Sequence, residues 1–208
     1  MTFYTIIFVM KAGEMTMTRV KEEEYAIAVR EAGHAVIGFL CRRGVKSITI
    51  VKNEDEGDPG RCRYVIPQSN TLEFNDFSDI SIKKFENLFR IDISGEVAEE
   101  IVLGKEWKLD GTDAEGCLQI LDNLYFSDSS DEFIQRPDGM SDDEWYAQII
   151  EEKETSKREF TDRIVKETKE MMTTHINAIK AIADKLMQRK TISGRLARKI
   201  FKENLPKG

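Results

Sequence analysis

The sequence predicts a mainly α fold with a small β-hairpin or sheet, an α+β class, on three observations. Only four prolines occur in 208 residues, which leaves long helices free of the residue that breaks them. Over most of the chain, apolar residues recur at three- and four-residue intervals, the spacing of one helical face. Against that rhythm, Val45-Lys46-Ser47-Ile48-Thr49-Ile50-Val51 alternates in the manner of a strand.

Taken in order, residues 21–43 read as the first helix, with Tyr25, Val29, Ala32, Val36 and Leu40 as its buried stripe and Gly44 as its stop. The alternating run after it, the turn residues Asp58-Pro59-Gly60 and the return segment Cys62–Ile66 make a small hairpin or sheet edge. A second helix covers 81–103 on Phe85, Leu88, Phe89, Ile93, Val97 and Ile101, with Gly104 closing it. A third begins near Thr112, where Thr112 and Glu115 fit a capping box that satisfies free backbone N–H groups. Residues 127–140 are acidic, polar and interrupted by Pro137 and Gly139, so they read as a loop. Ser141 and Glu144 form a second capping-box candidate. Helical patterning then runs to about 188 with a break near 151–157, and a short helix over 193–204 closes the chain. The organisation is one domain over 21–208: a first half to 126, the acidic loop 127–140, and a helical part over 141–208. Residues 1–20 read as a leader or an over-extended start.

The totals narrow the function classes. Hydrophobic residues make up 40% and charged residues 33%, the balance of a globular protein rich in surface helices. The net charge of −7 comes without a long run of either sign, which argues against a nucleic-acid surface. The apolar run Phe3–Met10 is too short to span a bilayer and lacks a basic flank. Cys41, Cys62 and Cys117 are an odd number without C-x-x-C spacing, so they read as small hydrophobes in a reducing, cytoplasmic setting and not as a disulfide framework.

Chemistry concentrates in Arg30-Glu31-Ala32-Gly33-His34, inside the first helix. The H-E-x-x-H pattern places two histidines at i and i+4 on one helical face to grip Zn²⁺, and the glutamate between them activates bound water. Here Glu31 and His34 hold the base and second-ligand positions, and Arg30 holds the first. A guanidinium offers no lone pair and stays protonated, so Arg30 is not a ligand.

Four segments, in order, resemble the peptidase domain of the FtsH-type ATP-dependent zinc metalloproteases. Ala28-Val29-Arg30-Glu31-Ala32-Gly33-His34-Ala35-Val36 is similar to that family's H-E-A-G-H-A helix. Ile93-Ser94-Gly95-Glu96-Val97-Ala98-Glu99-Glu100 is similar to its G-R-A-A-E-E segment, and Gly111-Thr112-Asp113-Ala114-Glu115 to the one supplying an aspartate ligand. Leu186 through Gly194 resembles the closing helices. The resemblance implies a zincin-like helical fold, with Glu31 as general base and His34 and Asp113 as metal ligands, and zinc as the family's cofactor.

With Arg30 at the first-ligand position, the same resemblance implies a pseudopeptidase that binds peptide or unfolded protein without cleaving it. The alternative is an active zinc endopeptidase with an atypical shell of His34, Asp113 and Glu31. A plain structural or oligomerisation domain is a third reading, since the family assembles into rings. Arg30 is expected to pair with Asp113 in the metal's place. Glu96, Glu99 and Glu100 read first as a solvated helix face and second as partners of the ligands. His175, on the long helix, reads as a helix-surface or packing residue. The sequence has no G-x-x-x-x-G-K-[ST] loop, so the expectation is a stand-alone relative, acting without ATP or with a separate ATPase partner.

Overall fold

A computed structural model describes residues 3–52, 60–65, 79–106, 115–126 and 136–206. Helix α1 runs Phe3–Leu40, β1 Val45–Thr49, β2 Arg61–Tyr64, α2 Asp79–Leu103, α3 Glu115–Phe126, α4 Asp142–Thr174, α5 Ile176–Arg189, β3 Thr191–Ser193 and α6 Gly194–Glu203. The mainly α class with a small sheet is the observed one. Several boundaries differ from those read in the sequence. The first helix starts at Phe3 and not near 21. The long C-terminal helix is unbroken over 151–157 and breaks at His175 instead. The turn residues Asp58 and Pro59, the Thr112 cap, Asp113 and most of the acidic loop lie outside the described residues.

Helix α1 is the axis of the molecule. Ala28, Val29, Ala32, Ala35 and Val36 are fully buried, and burial reaches nearly every face between Ala26 and Phe39. A helix covered all round must be packed on several sides. Helix α2 lies on one side and α5 on another, with the sheet over the C-terminal end. Helix α5 supplies Ala178, Ile179, Ile182, Ala183 and Leu186, all fully buried. Their i, i+1, i+4, i+5, i+8 spacing makes one apolar face, and Lys180, Asp184 and Lys185 take the others.

The sheet has strand order β2-β1-β3, and both pairings are antiparallel. An irregularity between Val45 and Ser47 shifts the alternation of β1, so that Val45 and Ile48 both turn inward. Ile48 pairs with Ile192 of β3, and both are buried. Thr49 Oγ1 and Thr191 Oγ1 share a hydrogen bond of 2.8 Å on the outer face.

Helix α4 packs along α2 through Phe85, Phe89 and Phe160, whose ring centroids lie 5.9–6.3 Å apart. Its N-terminus carries the capping box read in the sequence: Ser141 Oγ accepts from the Glu144 N–H and Ser141 N–H donates to Glu144 Oε2. At the break, His175 donates from Nδ1 to Met171 O at 2.7 Å and stacks on Phe201. It is the packing residue the sequence suggests. No described helix is long and apolar enough to cross a membrane.

Candidate functional site

The site forms where α1 crosses α2, and two glycines permit the crossing. A Cβ on Gly33 would lie 2.6 Å from both Ala98 Cβ and Ser94 O. A Cβ on Gly95 would lie 2.5 Å from His34 Nε2 and 2.7 Å from Arg30 Cγ. Contacts that short do not occur between real side chains, so the helices can approach this closely only because both positions lack a side chain. Arg30 and His34, one turn apart on α1, therefore both lie against Gly95.

His34 is held by α2. Its Nδ1 lies 2.8 Å from Ile91 O and 3.1 Å from Ser94 Oγ, while Ser94 Oγ itself donates to Ile91 O at 2.6 Å. A carbonyl oxygen can only accept, so Nδ1 carries a proton and donates it to Ile91 O. A backbone carbonyl fixing the far ring nitrogen is the usual support of a metal-binding histidine. From the other side, Tyr64 of β2 donates its hydroxyl to His34 O at 2.7 Å.

Arg30 behaves differently. Its Nη2 lies 2.5 Å from Glu96 Oε1, and the two side chains are 25% and 15% exposed. The partner expected from the sequence was Asp113, which lies outside the described residues. Glu96 is thus not part of a solvated face. Its neighbours Glu99 and Glu100 also have cationic partners, Lys105 at 3.1 Å and Lys169 at 2.7 Å. In the sequence Glu96 is one of three candidate supporting carboxylates, because nothing local shows that it faces Arg30 from 66 residues away.

Glu31 sits one position round the helix from Arg30 and is turned toward β2. It is 5% exposed, and a Cβ on Gly60 would meet its Cγ at 3.0 Å. Cys62 and Tyr64 complete its surroundings. Burial, opposed by a hydrogen bond with Tyr64 and reinforced by the charge of Glu31, pushes the Cys62 thiol up to about 12. Burial first, then Cys62, Glu31 and Asp92, hold the Tyr64 phenol well above its ordinary value. The thiol is therefore neutral at physiological pH. Cys41 and Cys62 are both free and half-buried.

The described residues do not fit a zinc ion at this place. His34 Nδ1 is held by a carbonyl, and one turn away the guanidinium of Arg30, which has no lone pair to give, is engaged by Glu96. Among the described residues, no three His, Cys, Asp or Glu side chains gather as a metal-holding group.

No family model matches the chain. It is distantly similar to FtsH metalloproteases. It is 25% identical over 191 residues to the ATP-dependent zinc metalloprotease FTSH 1, chloroplastic, of Arabidopsis thaliana, covering 84% of this chain and 26% of that protein. The corresponding protein of Oryza sativa subsp. japonica gives 25% over 191 residues, covering 84% and 27%. The ATP-dependent zinc metalloprotease FtsH of Rickettsia felis gives 21% over 196 residues, covering 84% and 28%. The chain spans about a quarter of the length of these relatives.

Proposed function

We propose that this chain is an FtsH-type peptidase-domain scaffold that binds peptide or unfolded protein and does not cleave it. One observation carries the reading: at the first-ligand position stands a cation, Arg30, bound to Glu96 at 2.5 Å. A zinc ion there would face a guanidinium with no lone pair to give and a positive charge to repel it. Removing Glu96 from that pair to serve a metal would leave a half-buried arginine without this partner, which is costly. Glu31, the residue matching the general base, is 5% exposed and packed against the start of β2.

A second reading has an observation in its favour. The Nδ1–H of His34 is given to Ile91 O, which orients Nε2 as a ligand would be oriented. On that reading His34, Asp113 and Glu31 serve an active zinc endopeptidase with an atypical shell. Assembly into homo-oligomers and cooperation with a separate ATPase in the cytoplasm extend either reading from the resemblance.

Hydrolysis of an unfolded protein, with zinc supplied, separates the two. The unaltered protein and E31Q are expected to bind the unfolded chain equally and to leave it intact. Cleavage that both a chelator and E31Q abolish would overturn the proposal.

A further inference from the structure

We infer that the cations of α6 and of the turn between α1 and β1 form one docking surface for an acidic stretch of a partner polypeptide. The surface is at the C-terminal end of α1, and it stands whether or not the chain cleaves what it binds.

In the sequence Arg42, Arg43 and Lys46 look like a solvated helix end, and the basic residues of α6 stand far from them. The fold joins the two groups. Gly194, the first residue of α6, packs on β1 so closely that a Cβ there would run into Val45 O and lie 3.2 Å from Lys46 N. That brings Arg195, next in the chain, alongside Lys46. One turn on, the Arg198 guanidinium lies over the Phe39 ring at 4.7 Å, and its Nη2 is 3.5 Å from Arg43 O. Lys202 continues the same helical stripe. Arg42, Lys46, Arg195, Arg198 and Lys202 are exposed, and Arg43 is partly so. Among the described residues one carboxylate pairs with this group, Glu203, 3.8 Å from Lys199.

Like charges gathered this way repel one another and favour an anion over the surface, although the chain as a whole carries −7. Arg42 is a second, independent sign. Its φ of 59° lies in the left-handed region, which an arginine enters at a cost and a glycine does not. The position nonetheless presents a guanidinium that no described carboxylate neutralises, and strain of this kind gathers at binding surfaces.

The chemistry selects the partner. Arg42, Arg43, Arg195 and Arg198 are guanidiniums, whose paired N–H groups match a carboxylate. The row from Arg195 to Lys202 is about 10 Å long at the helical rise, the length of about three residues of extended chain. On the opposite side of α6, Ala197 and Phe201 are committed to the core, where Phe201 meets Phe39 and His175. That side is not available to enter a bilayer, and a basic face alone does not anchor a protein stably. Nor does the group of cations include an exposed aromatic ring on which a base could stack.

Fluorescence anisotropy of a labelled octaglutamate peptide, titrated with the protein at low and at physiological salt, tests the inference. The unaltered protein is expected to bind octaglutamate and not octaglutamine, more weakly as salt rises. R195E/K202E should weaken that binding roughly tenfold or more. R42G should weaken it roughly threefold while its Tm is no lower than that of the unaltered protein, because glycine relieves the left-handed backbone. If the charge-reversed variant gives no folded protein, R195Q/K202Q takes its place, with a loss in the same direction. Failure of octaglutamate to bind, or equal binding by the unaltered and altered proteins, would overturn the inference. So would tighter binding to oligouridylate, or to vesicles of phosphatidylserine and phosphatidylcholine, than to the peptide. Salt-sensitive self-association that R195E/K202E abolishes would overturn it in favour of a second copy of this chain.

Discussion

Gly95 decides where the His34 ring can lie. With a Cβ there, Nε2 would be met at 2.5 Å, so the ring must leave Ile91 O or the helices must part. G95A is therefore expected to destabilise the protein by about 1–3 kcal/mol, as overpacking a tight contact does. Chemical denaturation measures the loss, and the His34 ring signals in NMR should move with it. An unchanged midpoint and unshifted ring signals would show that the crossing is looser than described. That Arg30 and His34 share one face of α1 was legible in the sequence, because they stand four residues apart in a helical pattern. The groups that hold them were not. Ile91 acts through its carbonyl, which no side-chain identity reveals, and Ser94, Tyr64 and Glu96 reach the site only through packing of separate elements.

Helix α5 illustrates what an element contributes. Ile182 is fully buried on a face that closes the core against α1. I182A is expected to cost about 2–5 kcal/mol, the range for truncating a large aliphatic in a packed core; denaturant titration should give a lower midpoint. Between α2 and α4 the contact is partly ionic. Arg90 donates to Glu167, and Arg163 reaches Glu86 at 2.7 Å and Glu167 at 3.5 Å. The hydrogen bond from Arg90, against some burial, holds the Glu167 carboxyl below its ordinary value of 4.5. A depressed carboxyl stabilises the fold above that value and loses its contribution as pH falls through the folded one. Glu167 is 39% exposed, so solvent screening keeps the effect to about 1 kcal/mol or less. Between pH 7 and pH 3 the unaltered protein should lose more stability than E167Q; parallel pH curves would contradict this. Helices α2 and α6 were readable from the chain to within a few residues, whereas the start of α1 and the break between α4 and α5 were not. Strand β3 was not, since three residues cannot show a period of two, and its partner β1 lies about 140 positions away. The His175 break also lacked a signal, having no glycine or proline, and it is the ring's bond to Met171 O that marks it.

At the scale of the whole molecule, the core is built around α1 by α2, α5 and the sheet. The distant similarity to zinc metalloproteases and the helical fold agree with each other, while the proposal that the chain does not cleave rests on the guanidinium of Arg30 and its bond to Glu96. His34 is tied to α2 through Ile91 O, and Arg30 through Glu96. Metal analysis after zinc loading and dialysis tests this most directly, run side by side on the unaltered protein and R30H. The expected result is far less than one zinc per chain in the unaltered protein and a clear gain in R30H. One tightly held zinc per chain in both would contradict it.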